Sequence, residues 1–291
     1  MRLQDLCEQY NISFKRQLGQ NLLLDENINR IMVDAAELTP DDDVIEVGAG
    51  LGALTDQLRK HAGRVFAVEI DRTFMPCLED RFGGEDSNVR LFRGDILNHR
   101  LEKLVEEYLP GAKSLKMVSN LPYYITTPIL FNFWESSLFF SEIVVMMQEE
   151  VALRMEANVN TSAYGILTIA AHLHAEVELV HRVPRTCFRP VPKVDSGIVR
   201  LRGRKEPLFP GLENRFLMKV VRAGFSQRRK TLRNTLTKTG VFGAPKEAVL
   251  EAFVTANIDP QRRAETLTID EFAALARAIR AGIPAPPTTS A

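Results

Sequence analysis

Five short β-branched and apolar runs, 43-DVIEV-47, 64-RVFAVEI-70, 89-VRLFRG-94, 115-LKMVSN-120 and 141-SEIVVMM-147, are separated by segments of helical length and pattern. This alternation leaves few folds open, because parallel strands need a crossover and a helix supplies it. The runs are apolar on both faces, as strands covered by helices on both sides must be. Two later runs, 174-HAEVELVHRV-183 and 194-VDSGIVRLR-202, lie close in sequence and predict an antiparallel pair added to the sheet edge. Near 203-GRKEPLFPG-211 two prolines and two glycines break the pattern, and from about Leu212 the segments read as helices. One helix is well punctuated: Thr268 and Glu271 form a capping box before 269-IDEFAALARAIRA-281, and Gly282 ends it. The expected organisation is an α/β domain with a mostly parallel sheet over residues 1–205, a smaller all-helical domain over 206–282, and a disordered Pro/Thr/Ala-rich tail over 283–291.

The first strand runs into a glycine turn and a helix start, 44-VIEVGAGLGALTDQL-58. Gly48, Gly50 and Gly52 remove side chains where a ligand approaches the backbone, and the helix N-terminus behind them favours electron-rich groups. Glu69 ends the next strand about 20 residues on, where a carboxylate can accept hydrogen bonds from both ribose hydroxyls. The loop alone does not separate a dinucleotide from another adenosine cofactor, since 48-GAGLGA-53 also satisfies the permissive dinucleotide pattern. Two features lean away from the dinucleotide. Glu46 precedes the glycines, where a carboxylate supports a cationic amino group and repels a pyrophosphate. Asp95, in 94-GDIL-97, follows the third strand, within reach of an adenine amino group. Both suit S-adenosylmethionine, which carries an ammonium and no phosphate.

The fourth strand ends in 120-NLPYYITTPIL-130. Pro122 fixes its own φ, removes an amide donor and pushes Leu121 towards an extended conformation. In an open parallel sheet ligands bind at the carboxyl ends of the strands, so Asn120, Leu121, Pro122 and Tyr123 are expected beside the cofactor's reactive end. The Asn120 amide and the Leu121 carbonyl offer two acceptors next to a flat ring. They match a planar group with an exocyclic amine: an adenine, a cytosine or a glutamine amide.

Charge and cysteine usage narrow the setting. The 37 basic and 37 acidic residues cancel, yet between Arg200 and Lys238 twelve basic residues face only Glu206 and Glu213. Such a block is either a solvated helical face or a polyanion-binding surface. Cys7, Cys77 and Cys187 are odd in number and widely spaced, which suggests a reducing, cytoplasmic compartment. They have no metal-ligand spacing, and His172 and His174, two apart, would point to different sides of a helix, so no metal is expected. No apolar run approaches the roughly 20 residues of a membrane helix, and the start MRLQDLCEQYN does not resemble a targeting peptide.

Eight stretches in this order resemble the small-subunit ribosomal RNA adenine dimethyltransferase family: 17-QLGQNLLLD-25, 46-EVGAGLGALT-55, 68-VEID-71, 94-GDIL-97, 120-NLPYYITTPIL-130, 147-MQEEVALRM-155, 188-FRPVPKVDSGIV-199 and 225-FSQRRKTLRNTL-236. Leu22 stands where the family often has Phe, and Ala49 where it often has Pro; neither changes a polar contact. The resemblance implies a Rossmann-like S-adenosylmethionine-dependent domain plus a helical domain that binds ribosomal RNA. It also implies dimethylation of two adjacent adenosines near the 3′ end of small-subunit RNA during ribosome biogenesis. It assigns cofactor contacts to Asn21, Leu23, Gly48, Glu69, Asp95 and Asn120. The target adenine would be flipped beside Asn120, Leu121, Pro122 and Tyr123, with Phe188 on its other face. Arg222, Arg228, Arg229, Lys230 and Arg233 become RNA contacts, with Arg229 and Arg233 expected on one helical face. The implied partner is the small ribosomal subunit, and the enzyme is expected to be a monomer without metal or membrane contact. A large-subunit adenine methyltransferase of the resistance type, a non-enzymatic assembly factor and a dinucleotide oxidoreductase are the rival readings.

Overall fold

The computed structural model describes residues 3–12, 21–238 and 242–283. They form two compact units, one within Met1–Leu153 and Ala175–Lys205, the other within Arg154–His174 and Glu206–Ala291. The break at 205/206 coincides with the composition change, but residues 154–174, expected within the first domain, group with the second. The reason is packing: the helix Ile166–His174 lies against Asn214–Gly224, and the buried Tyr164 hydroxyl donates to the Leu267 carbonyl at 2.8 Å. Residues 284–291 of the expected tail lie outside the described residues.

The first unit begins with α1 (Leu3–Gln9), β1 (Leu22–Leu23) and α2 (Glu26–Ala35). Crossovers then connect β2 (Asp43–Val47), α3 (Ala53–His61), β3 (Arg64–Glu69), α4 (Met75–Phe82), β4 (Val89–Arg93), α5 (Leu101–Tyr108), β5 (Leu115–Asn120), α6 (Thr126–Glu135) and β6 (Phe140–Gln148). A short helix α7 (Glu149–Met155) follows, and beyond α8 (Ile166–His174) come β7 (Ala175–Val183), β8 (Phe188–Arg189) and β9 (Ser196–Gly203). The seven-stranded sheet runs β4-β3-β2-β5-β6-β9-β7. Its first five strands are mutually parallel, and β9 pairs antiparallel with both β6 and β7. The fold is thus the expected Rossmann-like α/β sheet with an antiparallel addition. The last strand in sequence takes the inner place: Arg200 on β9 forms a two-pronged ion pair with the buried Glu142 of β6, at 2.9 and 3.0 Å.

Every residue of β2 is buried, as are five of six in β3 and in β5, so the centre of the sheet is apolar on both faces. At the amino ends of these strands charge is paired off, Arg64 with Asp43 at 2.6 Å and Lys116 with Asp42 at 3.0 Å. The carboxyl ends are where the loops open. A separate two-stranded ladder sets Leu23 opposite Phe188.

The second unit contains α8, α9 (Asn214–Gly224), α10 (Leu232–Leu236), α11 (Lys246–Thr255) and α12 (Ile269–Ala281), and no strand among its described residues. The capping box of Thr268 and Glu271 forms as expected at the start of α12. No helix among the described residues is long and apolar enough to cross a membrane.

Candidate active site

A cleft opens at the carboxyl ends of β2, β3, β4 and β5. Its wall includes Asn21, Leu23, Gly48, Glu69, Asp95, Asn120, Leu121, Pro122, Tyr123 and Phe188. One site therefore gathers every residue expected to bind cofactor or target, although they span 168 positions (Asn21 to Phe188). Residues 17–20 of the first stretch, 17-QLGQNLLLD-25, lie outside the described residues.

The glycine turn is left-handed at Gly48, Gly50 and Gly52, with φ of 83°, 56° and 76°, and only Gly adopts such a run without strain. The three do different work. A Cβ on Gly48 would stand 3.4 Å from the Pro122 ring, so the turn and the corner approach closely, whereas Gly50 is nearly open. A Cβ on Gly52 would meet the Phe82 ring at 2.4 Å. Gly52 thus lets α3 start against α4; the expectation that it clears space for a ligand is corrected. Glu69 is 5% exposed, and each of its oxygens accepts a backbone N–H, from Gly50 at 2.7 Å and from Asp71 at 2.8 Å. Burial raises its pKa, and those backbone donors pull it back. Asp95 caps the turn Ile96–Asn98 through the Leu97 amide at 3.0 Å, which presents its carboxylate at the cleft wall.

Glu46 departs from expectation. It is 1% exposed, and burial pushes its pKa up to about 8 although the Thr55 hydroxyl donates to it at 2.5 Å. Burial thus favours the protonated carboxyl. What disfavours a pyrophosphate is therefore the whole lining: among the described residues of the wall, Glu46, Glu69 and Asp95 are acidic and none is Lys, Arg or His. A phosphate-bearing ligand would find no cation there, while one carrying ammonium and sulfonium groups meets compatible chemistry.

Asn120 is the last residue of β5, and the Leu121 amide donates to the Met146 carbonyl of β6 at 3.2 Å. The turn into α6 closes on the next carbonyl, Pro122, which accepts from Ile125 and from the Thr126 hydroxyl. The turn thus makes no use of the Leu121 carbonyl. Tyr123 is half-buried and its hydroxyl lies 2.7 Å from Ser196 Oγ on β9. Ser196 was not singled out from the sequence, and only the strand order reveals it. Phe188 is 1% exposed, part of the core beside Leu23, Ile28 and Met146 as well as of the cleft wall. Asn29 and Ile96 also line the cleft without having been foreseen.

The basic residues sit differently than expected. Arg222 is in the last turn of α9, while Arg228, Arg229 and Lys230 occupy the turns between α9 and α10, and Arg233 lies on α10. All five are exposed, but Arg229 and Arg233 do not share a helix. The Leu232 and Arg233 amides bond to the carbonyls of Arg262 and Pro260 instead of to a preceding helical turn, so the helix is interrupted. Arg200, Arg202 and Arg204 leave the block altogether, paired with Glu142, Glu37 and Glu176 in the first unit. No group of three or more His, Cys, Asp or Glu side chains among the described residues is placed to hold a metal.

The profile of the family described as ribosomal RNA adenine dimethylase matches residues 11–280. The chain belongs to that family. It is 44% identical over 279 residues to a ribosomal RNA small subunit methyltransferase A of Bacillus cytotoxicus, covering 96% of this chain and 95% of the relative. A dimethyladenosine transferase from Plasmodium falciparum superposes with a TM-score of 0.73 at 28% identity, over 87% of this chain and 95% of that one. A 23S rRNA methyltransferase, ErmE, reaches 0.62 at 28% identity, over 89% and 99%. As a member of the dimethylase family the chain is an S-adenosylmethionine-dependent rRNA adenine methyltransferase, which rules out the oxidoreductase reading.

Proposed function

We propose that the chain dimethylates the 6-amino groups of two adjacent adenosines near the 3′ end of small-subunit ribosomal RNA, with the cleft of the first unit as its active site. The observation that carries this reading is the corner at 120–123. It presents an amide and an uncommitted carbonyl at the end of a parallel strand, directly against the glycine turn. The 44% identity to a small-subunit enzyme, against 28% to the large-subunit enzyme, favours the small-subunit substrate.

S-adenosylmethionine supplies, when bound, an electrophilic methyl group. Glu69 accepts from the ribose hydroxyls with the lone pairs its two backbone donors leave free, Asp95 accepts from the adenine amine, and Gly48, Asn21 and Leu23 complete the contacts. Asn120 Oδ1 and the Leu121 carbonyl accept the two N–H bonds of the target amine. They turn its lone pair out of the ring plane and towards the methyl group. No strong base is needed, because the nitrogen becomes acidic once alkylated; catalysis is alignment and electrostatics. Tyr123, anchored by Ser196, stacks on the flipped base, and Phe188 closes the pocket behind it. Such stacking returns roughly 1–3 kcal/mol per contact of the cost of unstacking.

The second unit positions the ribosomal substrate through phosphate contacts from Arg222, Arg228, Arg229, Lys230 and Arg233. The enzyme acts in the cytoplasm as a monomer, without a metal. Incubation with labelled cofactor and purified unmodified subunits, followed by nucleoside analysis, tests the assignment. Dimethyladenosine is expected from small subunits; label from large subunits alone would move the chain to the resistance type.

A further inference from the structure

Asn29 is a polar residue in an apolar place. It lies on the face of α2 that buries Ile28, Met32 and Val33, and it is itself 4% exposed. Neighbours on that stripe pack into the core with Leu54, Val144, Met146 and Phe188. An amide there has two donors and an acceptor to satisfy, and leaving them unpaired in the interior is costly. Asn29 lines the cleft, so a molecule held there comes within reach of its amide.

The position of α2 decides which part of the cofactor that is. Glu69 and Asp95, the acceptors for ribose and adenine, follow β3 and β4 on one side of the sheet. The helix α2 packs on α3, β6 and β7, towards the opposite side. Asn29 therefore faces the half of the cleft that holds the amino-acid end, an ammonium and a carboxylate. The carboxylate needs donors, and the described wall contains no Lys, Arg or His. Asn120 Oδ1 is assigned to the target base, and Asn21 already has an interaction within the chain. We propose that the Asn29 side-chain amide donates a hydrogen bond to the carboxylate at the amino-acid end of the bound cofactor. This rests on the reading of the cleft as the S-adenosylmethionine site and adds to it a residue that the sequence comparison did not nominate.

Two ligands separate the possibilities. S-adenosylhomocysteine has the amino-acid end; 5′-methylthioadenosine keeps the nucleoside and sulfur and lacks it. Calorimetric titration, with competition for the weaker ligand, is carried out on the full chain, Asn29→Leu and the isosteric Asn29→Asp. Asn29→Leu is expected to weaken S-adenosylhomocysteine by at least about tenfold, as for the loss of a hydrogen bond to a charged group. Asn29→Asp, which sets like charge against the carboxylate, is expected to weaken it further. Affinity for 5′-methylthioadenosine is unchanged in both, and the ligand-free melting temperature of Asn29→Leu is equal to or above that of the parent. Unchanged S-adenosylhomocysteine affinity, or equal losses for both ligands, overturns the proposal and leaves the cofactor reading intact. A parent chain that binds neither ligand overturns both.

Discussion

Glu46 is buried at the end of β2, where the Thr55 hydroxyl donates to it. Its pKa, near 4.5 in an exposed carboxyl, rises to about 8 on folding. The sign of the consequence follows directly. Between those values the folded chain holds a proton that the unfolded chain has lost, so stability falls as pH rises through the window. The slope is at most about 1.4 kcal/mol per pH unit for one group. Glu69 is shifted in the same direction by burial and adds to it. Urea unfolding of the ligand-free protein from pH 5 to pH 8 is expected to show declining stability, and Glu46→Gln to flatten much of that decline. An identical slope in the variant would mean that Glu46 ionises freely. The sequence identified this carboxylate but not its charge state, because burial on both faces of β2 is a property of the assembled sheet.

At the scale of elements, the glycine turn illustrates what spacing conveys and what it does not. Three glycines at 48, 50 and 52 marked the turn correctly, yet Gly52 answers to Phe82 on α4, a contact made 30 residues later. Gly52→Ala combines a left-handed φ with a clash against a ring, an expected loss of about 2–4 kcal/mol. Gly111 has a similar φ of 68° and nothing near its Cβ, so Gly111→Ala should lose only about 1–2 kcal/mol. Equal losses in urea unfolding would show that the Phe82 ring yields. The strands were legible because β-branched runs buried on two faces have no other use, and α12 because its caps are local. The place of β9 between β6 and β7 was not, since it depends on pairing with partners far apart in sequence, Glu142 among them. The break at Arg228–Lys230 was equally hidden: the residues favour helix, and the carbonyls of Pro260 and Arg262 capture the amides that would continue it.

For the whole molecule, the proposed function has the first unit perform the chemistry and the second grip the substrate. Replacing Arg228, Arg229 and Arg233 together by neutral residues should weaken small-subunit binding and reduce its dependence on salt, since fewer counterions are released. Affinity for S-adenosylhomocysteine should not change. Equal salt slopes for parent and variant would return these side chains to an ordinary solvated surface. The central claim, that the corner at Asn120 aligns a flipped adenine of small-subunit RNA, is tested most directly by single-turnover methyl transfer to unmodified small subunits, with the labelled nucleotides mapped. Label is expected on two adjacent adenosines near the 3′ end, and Asn120→Ala is expected to raise the barrier by about 2–4 kcal/mol while cofactor affinity falls by less. Near-parental turnover in that variant, or label at other positions, would contradict it.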